Sequence, residues 1–138
     1  MLTNILPKTT YDFSNLAATL TAAVPVALNI PTTDARELVL LPRIHSVTWS
    51  TNADITFDLK VTAPSDFDPN GVYRASAALV TVNVTQPNLP TSSAANFMKP
   101  GSATSGVGAY ADLIITFKQA TSVSTYIITV SVDVERKR

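Results

Sequence analysis

The chain has 138 residues, 46% of them hydrophobic and 14% charged, with ten basic residues balancing ten acidic ones, one His and no Cys. One domain of this length buries about two-thirds of the surface its unfolded chain exposes, and so apolar a composition excludes disorder over most of it. Zero net charge removes the electrostatic case for nucleic acid, and the lack of Cys excludes disulfide frameworks, thiolate zinc sites and thiol nucleophiles.

Residues 1–10, with Leu2, Ile5 and Leu6 beside Pro7, read in two ways. They form either an N-terminal arm that reaches another subunit or an apolar cover for one end of their own domain. Thr3, Asn4, Lys8, Thr9 and Thr10 break up any signal-type apolar core, and no stretch of the chain approaches the ~18 apolar residues of a spanning helix. A soluble protein made in a cytoplasm, with no membrane partner, is the expectation. Ser14 to Ala23 is the one segment that competes as a helix, with Ser14 as cap and Leu16, Ala17, Ala18, Leu20 and Ala22 of fair propensity. Val24 to Ile30 reads as a strand, and Pro25 favours an edge or a strand start. Glu37 to Leu41 and Ile44 to Ser50 are two strands, or one bent strand broken at Pro42. Within the second, alternation places His45 on the same face as Val47 and Trp49, with Trp49 mostly buried.

The clearest element follows. Ile55, Phe57, Leu59 and Val61 alternate with Asp54, Thr56, Asp58, Lys60 and Thr62, the period-two pattern of a strand with one dry and one wet face. Val80, Val82 and Val84 alternate with Thr81, Asn83 and Thr85 in the same way. So do Tyr126, Ile128, Val130, Val132 and Val134 with Thr129, Ser131, Asp133 and Glu135. Leu113 to Phe117 is apolar at Leu113, Ile114, Ile115 and Phe117, which implies cover on both faces or a subunit contact. Residues 86–108 hold three prolines and three of the four glycines and read as one long loop, in which Phe97 and Met98 dock either on their own domain or on a neighbouring subunit. Turn sequences separate these runs without a βαβ rhythm. The expected fold is a single all-β domain over residues 1–138, an antiparallel β-sandwich or jelly roll of seven or eight strands.

Catalytic equipment is meagre. His45 is the only His, no Gly-x-Ser-x-Gly elbow accompanies it, and Glu occurs only at positions 37 and 135. An enzyme would need a cleft joining His45 to a carboxylate such as Asp54 or Asp58. The expectation is no catalytic residues, no cofactor and no enzyme. Asp66, Asp68 and Asn70 match the opening of a calcium loop ahead of Gly71, but the twelfth position is Ala77 where a bidentate Glu belongs, and Asp-Pro-Asn-Gly is a turn sequence in its own right. No metal site is therefore expected. Gly106 and Gly108 form an isolated pair without a phosphate-cradling helix, and Asn83-Val84-Thr85 matches a glycosylation acceptor by pattern alone. The terminal Arg136, Lys137 and Arg138 are the one basic cluster; without them seven basic residues face ten acidic ones. That tail either solvates a strand end or anchors the protein on an acidic partner.

An all-β body rich in Ala, Thr, Ser and Val and poor in reactive groups resembles the small β-sandwich proteins of virus particles, particularly phage capsid decoration, cement and minor capsid subunits. The resemblance covers the whole chain in composition and strand spacing and rests on no diagnostic motif. It implies a virion protein that binds copies of itself, often as a trimer, and clamps neighbouring capsid subunits, with Leu2, Ile5, Leu6, Phe97, Met98 and the basic tail as interaction residues. The alternative is a carbohydrate- or receptor-binding β-sandwich, which requires Trp49, Tyr11, Tyr73 or Tyr110 to line an exposed groove.

Overall fold

The computed structural model describes residues 2–13, 20–32, 35–49, 53–64, 72–85, 97–98, 100–104, 110–119 and 126–138. Nine strands are found and, among the described residues, no helix: β1 (Leu2–Asp12), β2 (Leu20–Pro31), β3 (Glu37–Trp49), β4 (Ala53–Pro64), β5 (Val72–Thr85), β6 (Phe97–Met98), β7 (Gly101–Ala103), β8 (Tyr110–Gln119) and β9 (Tyr126–Lys137). They pair antiparallel in two sheets. Sheet A has the order β1-β9-β3-β6, with β7 also on β3, and sheet B has the order β2-β8-β4-β5. With β6 and β7 taken as one interrupted strand, the chain changes sheet at every step except β4 to β5. That alternation is the winding of an eight-stranded jelly roll, within an all-β antiparallel sandwich.

Period-two patterning builds the core. On β4, Ala53, Ile55, Phe57 and Leu59 are buried while Asp54, Thr56, Asp58 and Lys60 stay half-exposed on the other side. The inner face of sheet B gains Val80, Val82 and Val84 from β5 and Leu113, Ile115 and Phe117 from β8. Sheet A answers with Leu38, Leu40, Ile44 and Val47 on β3 and Tyr126, Ile128, Val130, Val132 and Val134 on β9. Each such side chain contributes roughly 1.5–3 kcal/mol of burial free energy, which is what holds the two layers together. At one end the rings of Tyr11 and Phe13 both lie 4.9 Å from Phe117, and Trp49 meets Tyr126 edge-on at 5.6 Å.

Several expectations change. Leu20 to Ala23 is extended, not helical: it pairs with Gln119 to Thr116 of β8, and Ser14 to Thr19 lie outside the described residues. Pro42 does not break β3, which runs unbroken from Glu37 to Trp49; on the outer side its neighbour is interrupted between β6, opposite Arg43 and Ile44, and β7, opposite Leu38 to Leu40. The long 86–108 segment supplies those two short strands, so the backbone of Phe97 and Met98 pairs with its own sandwich. Gly101 of β7 sits against β5, where an added Cβ would fall 2.7 Å from Val82 Cγ2. Residues 2–12 form an edge strand of sheet A paired with β9, with Leu6 in the core.

Candidate functional site

β9 runs through sheet A between β1 and β3, and both neighbours slip register on adjacent residues of it, β1 between Val132 and Val130 and β3 between Val130 and Thr129. On β1, Leu6 pairs with Val132 and Thr9 with Val130, so Pro7 and Lys8 together stand opposite Ser131. Thr9 Oγ1 donates to the Pro7 carbonyl at 2.6 Å and braces this bulge. On β3, Arg43 pairs with Ser131, and His45 is the extra residue between Ile44, opposite Val130, and Ser46, opposite Thr129. A bulge re-aims the side chain it carries. Val130 and Val132 are fully buried, so Ser131 faces outward, and His45 Nε2 lies 2.8 Å from its Oγ.

His45 therefore does not share a face with Val47 and Trp49. Those two are buried, whereas His45 is half-exposed on the outer face of sheet A with exposed Lys8 and Arg43 around it. Partial desolvation, then the positive charges of Lys8 and Arg43, hold its pKa below the ordinary histidine value. The nearest acid along β9, Asp133, accepts a 2.8 Å hydrogen bond from Asn4 Nδ2. A nucleophile–base pair needs a third group to orient the imidazole, and among the described residues no carboxylate bonds the His45 ring. Asp54 and Asp58 stand on the outer face of sheet B, with the whole core between them and His45, so no cleft joins these groups.

The outer face of sheet B differs in character. Pro25, Ile114, Asp58 and Thr81 make one cross-strand row, and Ala23, Thr116, Thr56 and Asn83 make the next. Thr81 Oγ1 donates to Asp58 Oδ1 at 2.7 Å and Thr56 Oγ1 to Asn83 Oδ1 at 3.0 Å, which ties the polar atoms sideways. These two rows carry short side chains with half-exposed Ile114 near the middle of the face, and Asp54, Lys60 and Lys118 stand outward in the rows beyond them.

The remaining sequence-derived candidates scatter. Leu2 is 60% exposed at the start of β1. Ile5 lines a crevice of about 250 Å³ with Thr3, Ile30, Pro31, Val134 and Arg136, at the seam between β1 and β2. Arg136 bonds the Pro31 carbonyl from Nη1 at 3.0 Å and Thr3 Oγ1 from Nη2 at 3.3 Å, and Lys137 Nζ lies 3.9 Å from Glu37, while Arg138 is exposed. Trp49 is 3% exposed, Tyr11 packs on Phe117 and Tyr110 is half-buried; the Tyr73 side chain lies outside the described residues, as do Asp66, Asp68 and Asn70 and the side chains of Phe97 and Met98. Among the described residues no group of three or more His, Cys, Asp or Glu is arranged to hold a metal. No protein-family model matches the chain, and no curated protein sequence does. Sequence reasoning missed the Lys8–Arg43–His45–Ser131 cluster, because only the pairing of three strands brings it together.

Proposed function

We propose that the chain is a non-enzymatic structural protein of a virus particle, a decoration or cement subunit that binds copies of itself as a trimer and clamps neighbouring capsid subunits through the outer face of sheet B. The observation that carries this reading is Ile114. It sits near the middle of that face, flanked by Pro25 and Asp58, and no described layer of the chain covers it. Around Ile114 the short side chains of Thr56, Asn83, Asp58 and Thr81, with their polar atoms tied to each other, lose little conformational entropy on docking. Jelly-roll domains are a recurrent architecture of viral shells as well as of lectins, so the fold is compatible with either and decides neither. The lectin reading needs exposed aromatic rings to stack on sugars, and Trp49 is buried in the core while half-buried Tyr11 packs on Phe117.

Sedimentation velocity over a concentration series tests this on the purified chain. The wild type is expected to form trimers, and Ile114→Lys to remain monomeric with an unchanged circular dichroism melt. A wild type that stays monomeric throughout, or an Ile114→Lys variant that assembles equally well, overturns the assignment.

A further inference from the structure

We propose that the Lys8–Arg43–His45–Ser131 cluster on the outer face of sheet A is a binding site for a doubly charged tetrahedral oxyanion, sulfate or phosphate. Two bulges, one on each strand flanking β9, gather these groups around Ser131: the β1 bulge lies opposite it, Arg43 of β3 pairs with it in regular register, and the β3 bulge at His45 follows between Val130 and Thr129. A bulge leaves a residue out of the ladder and is tolerated where the re-aimed side chain has a use. Here one bulge sets a lysine opposite Ser131, and the other turns an imidazole onto its hydroxyl at 2.8 Å, beside an arginine that pairs with the same serine. The four groups bring two fixed positive charges, one titratable one and a rotatable hydroxyl. Arg and Lys supply charge-assisted hydrogen bonds, and Arg adds a planar fork suited to two oxygens of one anion.

The imidazole adds a switch. While His45 is neutral with Nε2 as acceptor, the Ser131 hydroxyl points its proton at the ring. Once His45 is protonated, Nε2–H donates to Ser131 Oγ, and the hydroxyl proton turns outward as a donor to the ligand, joined by Nδ1–H. The free cluster resists that protonation, since desolvation and then Lys8 and Arg43 oppose it. A bound dianion reverses the local field and favours it. Among the described residues the groups facing His45 are Lys8 from β1, Arg43 from its own strand, and Ser131 and then Asp133 from β9; β6, whose backbone pairs with Arg43 and Ile44 on the far side of β3, is the uncharged pair Phe97 and Met98. Asp133 is already engaged with Asn4.

Sulfate is the better probe, because it stays dianionic throughout the imidazole range and any pH dependence belongs to the protein. The His45 ring of the full chain is titrated by NMR across ~pH 5 to 8 in sodium sulfate and in sodium chloride of equal ionic strength. Sulfate is expected to raise the His45 midpoint by about one unit relative to chloride, equivalent to about tenfold tighter binding by the protonated form. Lys8→Gln and Arg43→Gln, both at exposed positions, should each remove most of that rise, and Lys118→Gln on the outer face of sheet B should keep it. Equal midpoints in the two salts overturn the proposal. So does a Lys118→Gln effect as large as that of Arg43→Gln, which would mean a diffuse ion atmosphere. A monosaccharide sulfate run in parallel separates the sources: tighter binding than inorganic sulfate points to a sulfated glycan, equal binding to the free ion, and either result requires the site.

Discussion

Gln119 is the residue whose environment agrees least with its chemistry. Phe117 and Gln119 continue the inward set of β8, and Gln119 is 1% exposed with neither Oε1 nor Nε2 hydrogen-bonded among the described residues. Trp49 Nε1, buried as well, also has no partner among them. Tyr126 shows the contrasting solution: it too is fully buried, but its hydroxyl donates to the Asp54 carbonyl at 2.7 Å, and burial pushes its pKa far up so that it remains a donor. An unmade hydrogen bond on a buried polar group costs about 1–3 kcal/mol, whereas an apolar side chain of similar size carries no such penalty. Gln119→Leu is therefore expected to raise the urea midpoint, by about 1 kcal/mol of stability at unchanged m-value. A clear loss of stability would mean that water or another group satisfies the amide in solution.

At the scale of strands, what the sequence revealed depended on whether one face of an element is wet. β4, the last part of β5, and β9 alternate cleanly because solvent lies on one side of them, and all three were legible. The segment 14–23 misled because alanine helix propensity is a weak prior, and at Leu20 to Ala23 pairing with β8 overrides it. The side of β3 on which His45 falls was readable in principle: Leu38, Leu40 and Ile44 point inward at even positions, Val47 and Trp49 at odd ones, and such a parity switch demands an inserted residue. Its partner Ser131 was not readable, since register between strands 86 residues apart is set by the whole fold. The tail divides in the same way. Arg136, which the sequence presents as part of an exterior basic cluster, ties β9 to β2 through the Pro31 carbonyl and to β1 through Thr3. Arg136→Ala is accordingly expected to cost about 1 kcal/mol in urea unfolding, with part of the contact discounted for its exposure, and Arg138→Ala to cost nothing measurable. Equal effects of the two substitutions would remove Arg136 from any role in joining the sheets.

For the molecule as a whole, the sheet edges and the sheet faces make opposite offers to a partner. β1 carries Pro7 and two register shifts, and β2 carries Pro25, Pro31 and two more. β5 is shifted twice against β4, while β6 and β7 are only two and three residues long. Proline, bulges and short length each block strand addition, so all four edges are blunted against pairing with another chain. The faces remain. Sheet A turns outward Lys8, Arg43, Asp133 and Glu135 with half-exposed Val39 and Leu41, and sheet B turns outward Asp54, Asp58, Lys60 and Lys118 around Ile114, the face that the proposed assembly uses. Association should therefore bury the face of sheet B and leave the edges as they are. Hydroxyl-radical footprinting of the assembled wild type against the Ile114→Lys monomer is expected to show protection at Pro25 with Leu2 and Pro7 reacting alike in both. Protection of Leu2 and Pro7 with Pro25 unchanged would instead mean that copies join through β1, against the design of that edge.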